Sequence, residues 1–231
     1  MKTIFFVFMP KGGVGKTTIS ILLTAEMLRR NKAVQILDID RQQELKMWVD
    51  EWCTLNPDKA NLIVDSKNER DCLIIDSKPG ADDQFGASND DILKTLAAWS
   101  QEQTVRVILP FLPGKQEIKA LRVAIELLDQ YAPTIPRGII INRRKNSRID
   151  TELIAEAKQI SNATVLGYLT DLIAYREIKC EGKAVWQYET TAAISRFDDF
   201  VRVFNFRSKG DATREWAKVA KSLDQFMSVP G

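Results

Sequence analysis

The chain has 231 residues, of which 45% are hydrophobic, and a formal net charge of +2. This length and composition suffice for one substantial core and call for no second unit, so we predict a single domain over residues 1–231. Histidine is absent, which excludes an imidazole general base, a histidine-containing triad and a histidine metal ligand.

The spacing of the cysteines and the hydropathy of the chain limit the compartments in which the protein is expected. Cys53, Cys72 and Cys180 are too far apart in sequence for a Cys-x-x-Cys pair, and they do not form a disulfide framework. No apolar run approaches the ~20 residues of a membrane span, and the apolar N-terminus leads into a glycine-rich loop instead of a cleavage site. We therefore expect a cytoplasmic protein that does not associate with a membrane.

The first predicted element is a strand over residues 3–8, a continuous apolar run typical of a strand that is buried on both faces. Residues 10–18 follow, with the sequence Pro-Lys-Gly-Gly-Val-Gly-Lys-Thr-Thr, and residues 17–30 form an apolar segment of helix length. Glycines let several backbone N–H groups point at one anion, and a helix N-terminus adds partial positive charge. The stretch therefore predicts a binding loop for nucleotide phosphates.

Residues of this loop are candidates for the contacts of a triphosphate. Lys16 is predicted to contact the β and γ phosphates, and the Thr17 hydroxyl to ligate Mg²⁺. The predicted nucleotide contacts in the loop are Gly12, Gly13, Val14, Gly15, Lys16, Thr17 and Thr18. A glycine-rich loop with two solvated lysines is the alternative, but the order of strand, loop and helix favours nucleotide binding.

The loop departs from the standard P-loop pattern, because Pro10 stands where that pattern has glycine, and a second lysine, Lys11, stands beside it. In this respect it resembles the deviant Walker A box of the ParA/MinD superfamily of ATPases. The resemblance implies ATP and Mg²⁺ as ligands and an ATP-dependent homodimer. It also implies that Lys11 crosses the dimer interface and contacts the phosphates of the partner's nucleotide.

A second predicted strand, residues 33–37, is followed by Asp38 and Asp40. Ligands of open α/β sheets bind at the carboxyl ends of the strands, and carboxylates one residue apart point the same way on an extended chain. ParA-type ATPases carry Asp-x-Asp-x-Gln here, as this chain does up to Gln42. The resemblance implies that Asp40 positions the attacking water and that Asp38 supports the Mg²⁺ shell. Without the loop upstream, an Asp pair after a strand fits a helix cap equally well.

Helical spacing predicts a helix over residues 43–55, and residues 61–64 and 72–75 are predicted as two further strands. The second of these strands is followed by Asp76. An apolar strand that ends in aspartate is the Walker B arrangement, in which the carboxylate binds Mg²⁺ through water.

Strands and helices continue to alternate along the chain. The predicted elements are a helix at 90–101, a strand at 105–109, a helix at 115–131, a strand at 138–141, a helix that ends at 160 and a strand at 164–167. This alternation predicts an α/β fold with a doubly wound, mostly parallel sheet flanked by helices. Asn142 matches the position from which members of the ParA family contact the adenine edge.

The C-terminal part alternates aromatic and cationic residues between positions 195 and 210. Core packing at helical spacing explains the aromatic residues, whereas cations on solvated helix faces supply phosphate contacts for salt-sensitive, sequence-independent DNA binding. We predict Arg202, Arg207 and Lys209 as DNA contacts, and hence a nucleoid-associated protein.

The resemblance to the ParA/MinD superfamily implies a ParA-type ATPase that dimerises on ATP, binds nonspecific DNA and is released when a ParB-like or cargo adaptor protein stimulates hydrolysis. The cargo that the resemblance implies is a plasmid or a protein body such as a carboxysome, and the sequence does not distinguish the two. A metabolic ligase of the same superfamily, similar to dethiobiotin synthetase, is an alternative. A MinD-like membrane-associated regulator is another, which the cation-free tail at residues 223–231 disfavours. A reductase similar to the nitrogenase iron protein lacks suitably placed cysteines.

Overall fold

A parallel sheet runs through the centre of the protein. The computed structural model describes residues 2–66, 69–78, 80, 89–144, 147–170, 182 and 209–229. In these ranges six strands pair in the order β2-β3-β1-β4-β5-β6, with every pair parallel. The strands are β1 (Thr3–Val7), β2 (Val34–Asp38), β3 (Cys72–Asp76), β4 (Thr104–Phe111), β5 (Arg137–Arg144) and β6 (Thr164–Thr170).

Helices cover both faces of the sheet. One face carries α1 (Lys16–Arg29), α2 (Glu44–Leu55) and α6 (Lys209–Ser228). The other carries α3 (Asn89–Trp99), α4 (Lys115–Tyr131) and α5 (Arg148–Ser161). Helices on both faces of a parallel sheet confirm the predicted α/β class with a doubly wound parallel sheet.

None of the helices in the described ranges is long and apolar enough to cross a bilayer.

Strand β1 lies in the middle of the sheet and contributes to two cores. Phe5 and Val7 pack on the side of α1, whereas Ile4 and Phe6 pack on the side of α4, and all four are fully buried. Side chains alternate between the faces of a strand, so a strand with a core on each side needs an unbroken apolar sequence. This requirement explains the continuous apolar run at the start of the chain.

One predicted strand is wrong. Residues 61–64 do not form a strand, because Ala60–Leu62 is a turn of 3₁₀ helix and only Ile63 makes an isolated bridge, to Val34. The backbone N–H groups of Leu62 and Ile63 donate to the carbonyls of Lys59 and Ala60, so local turns use the donors that a strand would offer.

The end of α1 is predicted correctly. Asn31 has a φ of 54°, in the left-handed region that Asn tolerates, and its N–H donates to the Leu28 carbonyl at 3.0 Å. The N–H of Lys32 donates to the Met27 carbonyl at 3.0 Å, so the last turn of the helix is closed.

The sheet order decides where the candidate site lies. β1 has β3 on one side and β4 on the other. The connection that leaves β1 leads to β2 at one edge of the sheet, whereas the connection that leaves β4 leads to β5 in the other direction. Because all of the strands are parallel, their carboxyl ends meet at one edge. At that edge, the loop at residues 10–15 follows β1, Asp38 and Asp76 end β2 and β3, and Asn142 lies near the end of β5.

Close packing of α6 on β6 depends on Gly167. A Cβ at this position would lie 2.5 Å from Cγ2 of Val219 and 3.5 Å from its backbone Cα. We expect Gly167→Ala to lower the free energy of unfolding by about 1–3 kcal/mol, because the methyl group overpacks the contact. Urea denaturation followed by circular dichroism measures this change.

The matched control is Val219→Ala, made alone and together with Gly167→Ala, since it removes the methyl group that the new Cβ would meet. The double variant should lose less stability than the sum of the two single losses. Additive losses would contradict the close contact of α6 and β6.

Candidate functional site

The loop between β1 and α1 is shaped by two glycines. Gly13 and Gly15 have φ values of 76° and 97°, in the left-handed region that favours glycine. Gly15 is also the N-cap of α1. Gly12 and Gly13 are exposed, whereas the side chains of Val14 and Thr18 are buried. Val14 and Thr18 therefore have only their backbone N–H groups to offer to an anion.

Positive charge is concentrated where the loop meets α1. The Lys16 side chain is buried, and its Nζ donates to the Lys11 carbonyl of the loop at 3.1 Å. The first turn of α1 contains no acidic residue. The ammonium group and the helix N-terminus therefore add their fields at one place, as an anion-binding site requires.

Asp76 ends β3 next to the start of α1 and is fully buried. Its Oδ1 accepts a hydrogen bond from Ser20 Oγ at 3.0 Å, whereas its Oδ2 is buried without a partner in the described part of the chain. Burial raises the pKa of Asp76 to about 7, hydrogen bonds from Thr17 and Ser20 oppose that rise, and the nearby Asp38 carboxylate adds to it.

These groups fit a magnesium ion. The Thr17 hydroxyl and the unpartnered Oδ2 of Asp76 are hard oxygen donors, which is the chemistry that Mg²⁺ prefers. Within the described ranges no cluster of three or more carboxylate or thiol groups could hold a metal ion. Such a sparse protein set suits Mg²⁺, because this ion usually keeps water and substrate phosphates among its ligands.

Asp38 ends β2 and has a structural role. Its Oδ2 accepts the N–H groups of Leu45 and Lys46 at 3.0 and 3.2 Å, and its Oδ1 accepts that of Asp40 at 3.1 Å. Asp38 thus caps α2 from outside the helix. Burial raises its pKa, and these backbone hydrogen bonds oppose the rise. The helix-cap alternative holds for Asp38, and its role in the Mg²⁺ shell stays a prediction.

Asp40 lies in the turn between β2 and α2. It is half-buried, and its Oδ1 accepts the N–H of Gln42 at 3.1 Å. Gln43, which precedes α2, has a φ of 48°. The turn thus holds Asp40 at the same sheet edge as Asp38, and its contact with an attacking water stays a prediction.

Asn142 lies against the glycine-rich loop. It is almost fully buried, its Nδ2 donates to the Val14 carbonyl at 3.0 Å, and its Oδ1 accepts the N–H of Arg143. A Cβ at Gly15 would lie 2.1 Å from Nδ2 of Asn142, so glycine is needed here for space as well as for its φ. This support of the loop was not predicted, and the adenine contact of Asn142 stays a prediction.

Lys11 contacts the first turn of α4. Its Nζ forms an ion pair with Glu117 Oε1 and donates to Gln116 Oε1 at 3.2 Å. No motif in the sequence marks Gln116 or Glu117, because only the adjacency of β1 and β4 brings the start of α4 beside the loop.

The predicted DNA contacts lie largely outside the described residues. Arg202 and Arg207 are not among them, and Lys209 is described only as the first residue of α6.

Comparison with known proteins identifies the family. The model of the CobQ/CobB/MinD/ParA nucleotide-binding domain matches residues 5–185. The chain belongs to this family. The match spans the loop, Asp38, Asp76 and Asn142, and the family's nucleotide-binding character agrees with the charge distribution at the site.

Known proteins are similar to this chain in sequence or in fold. The maintenance of carboxysome distribution protein A of Halothiobacillus neapolitanus is 22% identical over an alignment of 193 positions, which covers 77% of this chain and 83% of the relative. A Cyanothece McdA variant in complex with ATP has a TM-score of 0.65 at 15% identity, over 97% of this chain and 96% of that one.

Two further structures are similar over nearly their whole length. MinD of Pyrococcus horikoshii, complexed with Mg-ADP, has a TM-score of 0.63 at 18% identity, with coverages of 100% and 99%. A putative plasmid partition protein of Borrelia burgdorferi bound to AMPPNP has a TM-score of 0.61 at 15% identity, with coverages of 97% and 99%.

The raised pKa of Asp76 gives a pH dependence of stability. The unfolded chain loses this proton near pH 4 and the folded protein only near pH 7, so the free energy of unfolding falls as the pH rises between these values. Without metal or nucleotide, Asp76→Asn should remove this loss and be more stable than the wild type at pH 8, by up to a few kcal/mol. Urea unfolding at pH 5 to 8 with EDTA measures it.

Asp58→Asn is the control for this experiment, because Asp58 is exposed. It should leave the pH dependence unchanged. The same slope in the Asp76→Asn variant as in the wild type would contradict the burial of an ionisable carboxylate at this site.

Proposed function

We propose that this protein is an ATPase of the ParA type that dimerises on ATP, binds nonspecific DNA and leaves it when an adaptor stimulates hydrolysis. The proposal rests on two groups that lie near each other: Lys16, buried at the N-terminus of α1, and Asp76, whose Oδ2 has no partner in the described part of the chain. Lys16 offers positive charge to a polyphosphate, and Asp76 offers a hard oxygen ligand to its metal ion.

Each group then has a defined task. Lys16 and the N–H groups of the loop bind the β and γ phosphates, while Thr17 and Asp76 hold Mg²⁺, which neutralises phosphate charge when bound. Asp40 orients the attacking water. Lys11 of the partner subunit contacts the phosphates across the dimer interface, so that hydrolysis needs two copies of the chain. Positioning and charge stabilisation lower the barrier, as in other phosphoryl transfers.

Exposed cations on α6 support DNA binding. Arg214, Lys218 and Lys221 are exposed, and their spacing places them along one side of the helix. The opposite side buries Trp216 and Leu223 against the sheet. A row of cations on a helix suits contacts with successive DNA phosphates and carries no base preference. We therefore expect the protein to be cytoplasmic and associated with the nucleoid.

The relatives support a role in distributing a cargo. The Halothiobacillus protein is named for the maintenance of carboxysome distribution, and the Borrelia protein for plasmid partition. We propose that this protein distributes a cargo of one of these two kinds through a ParB-like or cargo-specific adaptor.

A metabolic ligase is the second candidate, because the family also includes CobQ and CobB. A ligase would turn over ATP only with a small organic acid, and DNA would leave its rate unchanged. Stimulation of ATP turnover by DNA and an adaptor distinguishes the positioning ATPase from this candidate.

Two substitutions separate binding from hydrolysis. We expect Lys16→Ala to weaken ATP binding at least 100-fold, because the buried ammonium group is lost. Asp40→Ala should bind ATP and dimerise but hydrolyse at least 10-fold more slowly. Calorimetry and phosphate release measure the two effects, with Lys32→Ala, an exposed lysine, as the control. Normal turnover in Asp40→Ala would remove Asp40 from the mechanism.

Retention on nonspecific duplex DNA, measured with ATP, ADP and no nucleotide, tests the DNA step. We expect retention only with ATP, with a salt dependence that reports the number of phosphates contacted. Charge reversal to Glu at Arg202, Arg207 and Lys209 should weaken retention and reduce the salt slope by up to about 3.

The matched variant reverses Arg214, Lys218 and Lys221 to Glu. A slope that changes only in this second variant would assign DNA binding to the described face of α6. Retention that does not depend on the nucleotide would contradict the proposed cycle.

A further inference from the structure

In the described part of its own subunit, the ammonium group of Lys11 has two partners, and both lie in the first turn of α4. The exposed fractions of the paired side chains are 29% for Lys11 and 14% for Glu117, so the ion pair is partly shielded from water. Gln116 Oε1 accepts a second hydrogen bond from the same ammonium group, at 3.2 Å. A pair with this shielding and a second acceptor is more persistent than a pair between two exposed side chains.

The fold holds Glu117 in place for this contact. β1 and β4 are neighbours with Val7 opposite Ile108, so the loops that follow them lie side by side. Gly114 is the N-cap of α4, and a Cβ there would lie 2.0 Å from Glu117 Oε2. The carboxylate therefore folds back over the start of its helix, where the positive end of the helix dipole favours a negative charge.

We propose that Glu117 is a positioning residue that holds Lys11 within its own subunit and thereby opposes ATP-dependent dimerisation. This inference rests on the proposed function, in which Lys11 contacts the nucleotide of the partner. In this inference the Lys11 ammonium group leaves Glu117 to reach the partner's phosphates, so dimerisation breaks the pair.

Two physical effects then act in the same direction. Breaking the pair removes a charge-assisted hydrogen bond, and it leaves the partly buried Glu117 carboxylate without its counter-charge. Lys11 leaves Glu117 more readily when the partner's nucleotide carries more negative charge. The pair therefore makes closure of the dimer depend on the third phosphate.

The first test examines the pair in the monomer, without nucleotide, and does not depend on the proposed function. Lys11→Met, Glu117→Gln and the double variant are compared by urea unfolding. We expect the double variant to lose less stability than the sum of the single losses, with a coupling of about two- to tenfold in the unfolding equilibrium constant. Additive losses would overturn the proposal.

The second test measures dimerisation by sedimentation velocity with ATPγS. Glu117→Gln, which keeps the shape and removes the charge, should dimerise about five- to thirtyfold more tightly than the wild type. Glu126→Gln, at an exposed position on the same helix, is the control and should match the wild type. Glu117→Asp, which keeps the charge, should lie between the two.

A readout of monomer binding separates positioning from a general structural effect. ATP affinity, measured below the dimerisation concentration, should stay within about twofold of the wild type in Glu117→Gln, because Glu117 acts only through Lys11. Unchanged or weaker dimerisation of this variant would overturn the proposal and leave the proposed function standing.

Failure of the proposed function gives a different result. If neither the wild type nor Glu117→Gln dimerises with ATPγS at any concentration, the ATP-dependent dimer and the role of Glu117 both fail. If the wild type stays monomeric while Glu117→Gln dimerises, Glu117 opposes dimerisation as proposed and is its main barrier.

Discussion

The positive field at the amino end of α1 is the interaction on which the site depends. It arises from the backbone N–H groups at the start of the helix, from the curled backbone at Gly13 and Gly15, and from the buried ammonium group of Lys16. Because the first turn carries no acidic residue, no side chain of that turn opposes this field. The field favours an anion at this end of α1, and the other groups of the proposed site lie around the same position.

The carboxylates around this field differ in how the fold treats them. Asp76 is buried with one oxygen unpartnered, a costly arrangement in the absence of a cation. Asp38 receives three backbone hydrogen bonds and stabilises the start of α2. Asp76 therefore lowers the stability of the protein without a cation, whereas Asp38 connects the end of β2 to the helix that follows it. Any ligand that draws Asp38 away must replace these hydrogen bonds.

Much of the fold and part of the site could be predicted from the sequence, because they depend on local patterns. The bounds of α4 were predicted to the residue, and the glycine-lysine pattern correctly placed a loop between β1 and α1. The strand predicted at residues 61–64 was wrong, since three consecutive apolar residues do not reveal whether the N–H groups of the segment are used in local turns. The contact of Asn142 with Val14 was missed, because the two residues lie 128 positions apart.

The sequence by itself determined the parallel α/β class, the glycine-rich loop after β1 and the carboxylates at the ends of β2 and β3. Hydrophobic periodicity and glycine spacing are short-range signals that remain readable without a structure. Only the tertiary structure decided that Asn142 supports the loop, that Asp38 caps α2 and that Lys11 pairs with Glu117. These contacts follow from the order of strands in the sheet, which brings together segments that no local pattern connects.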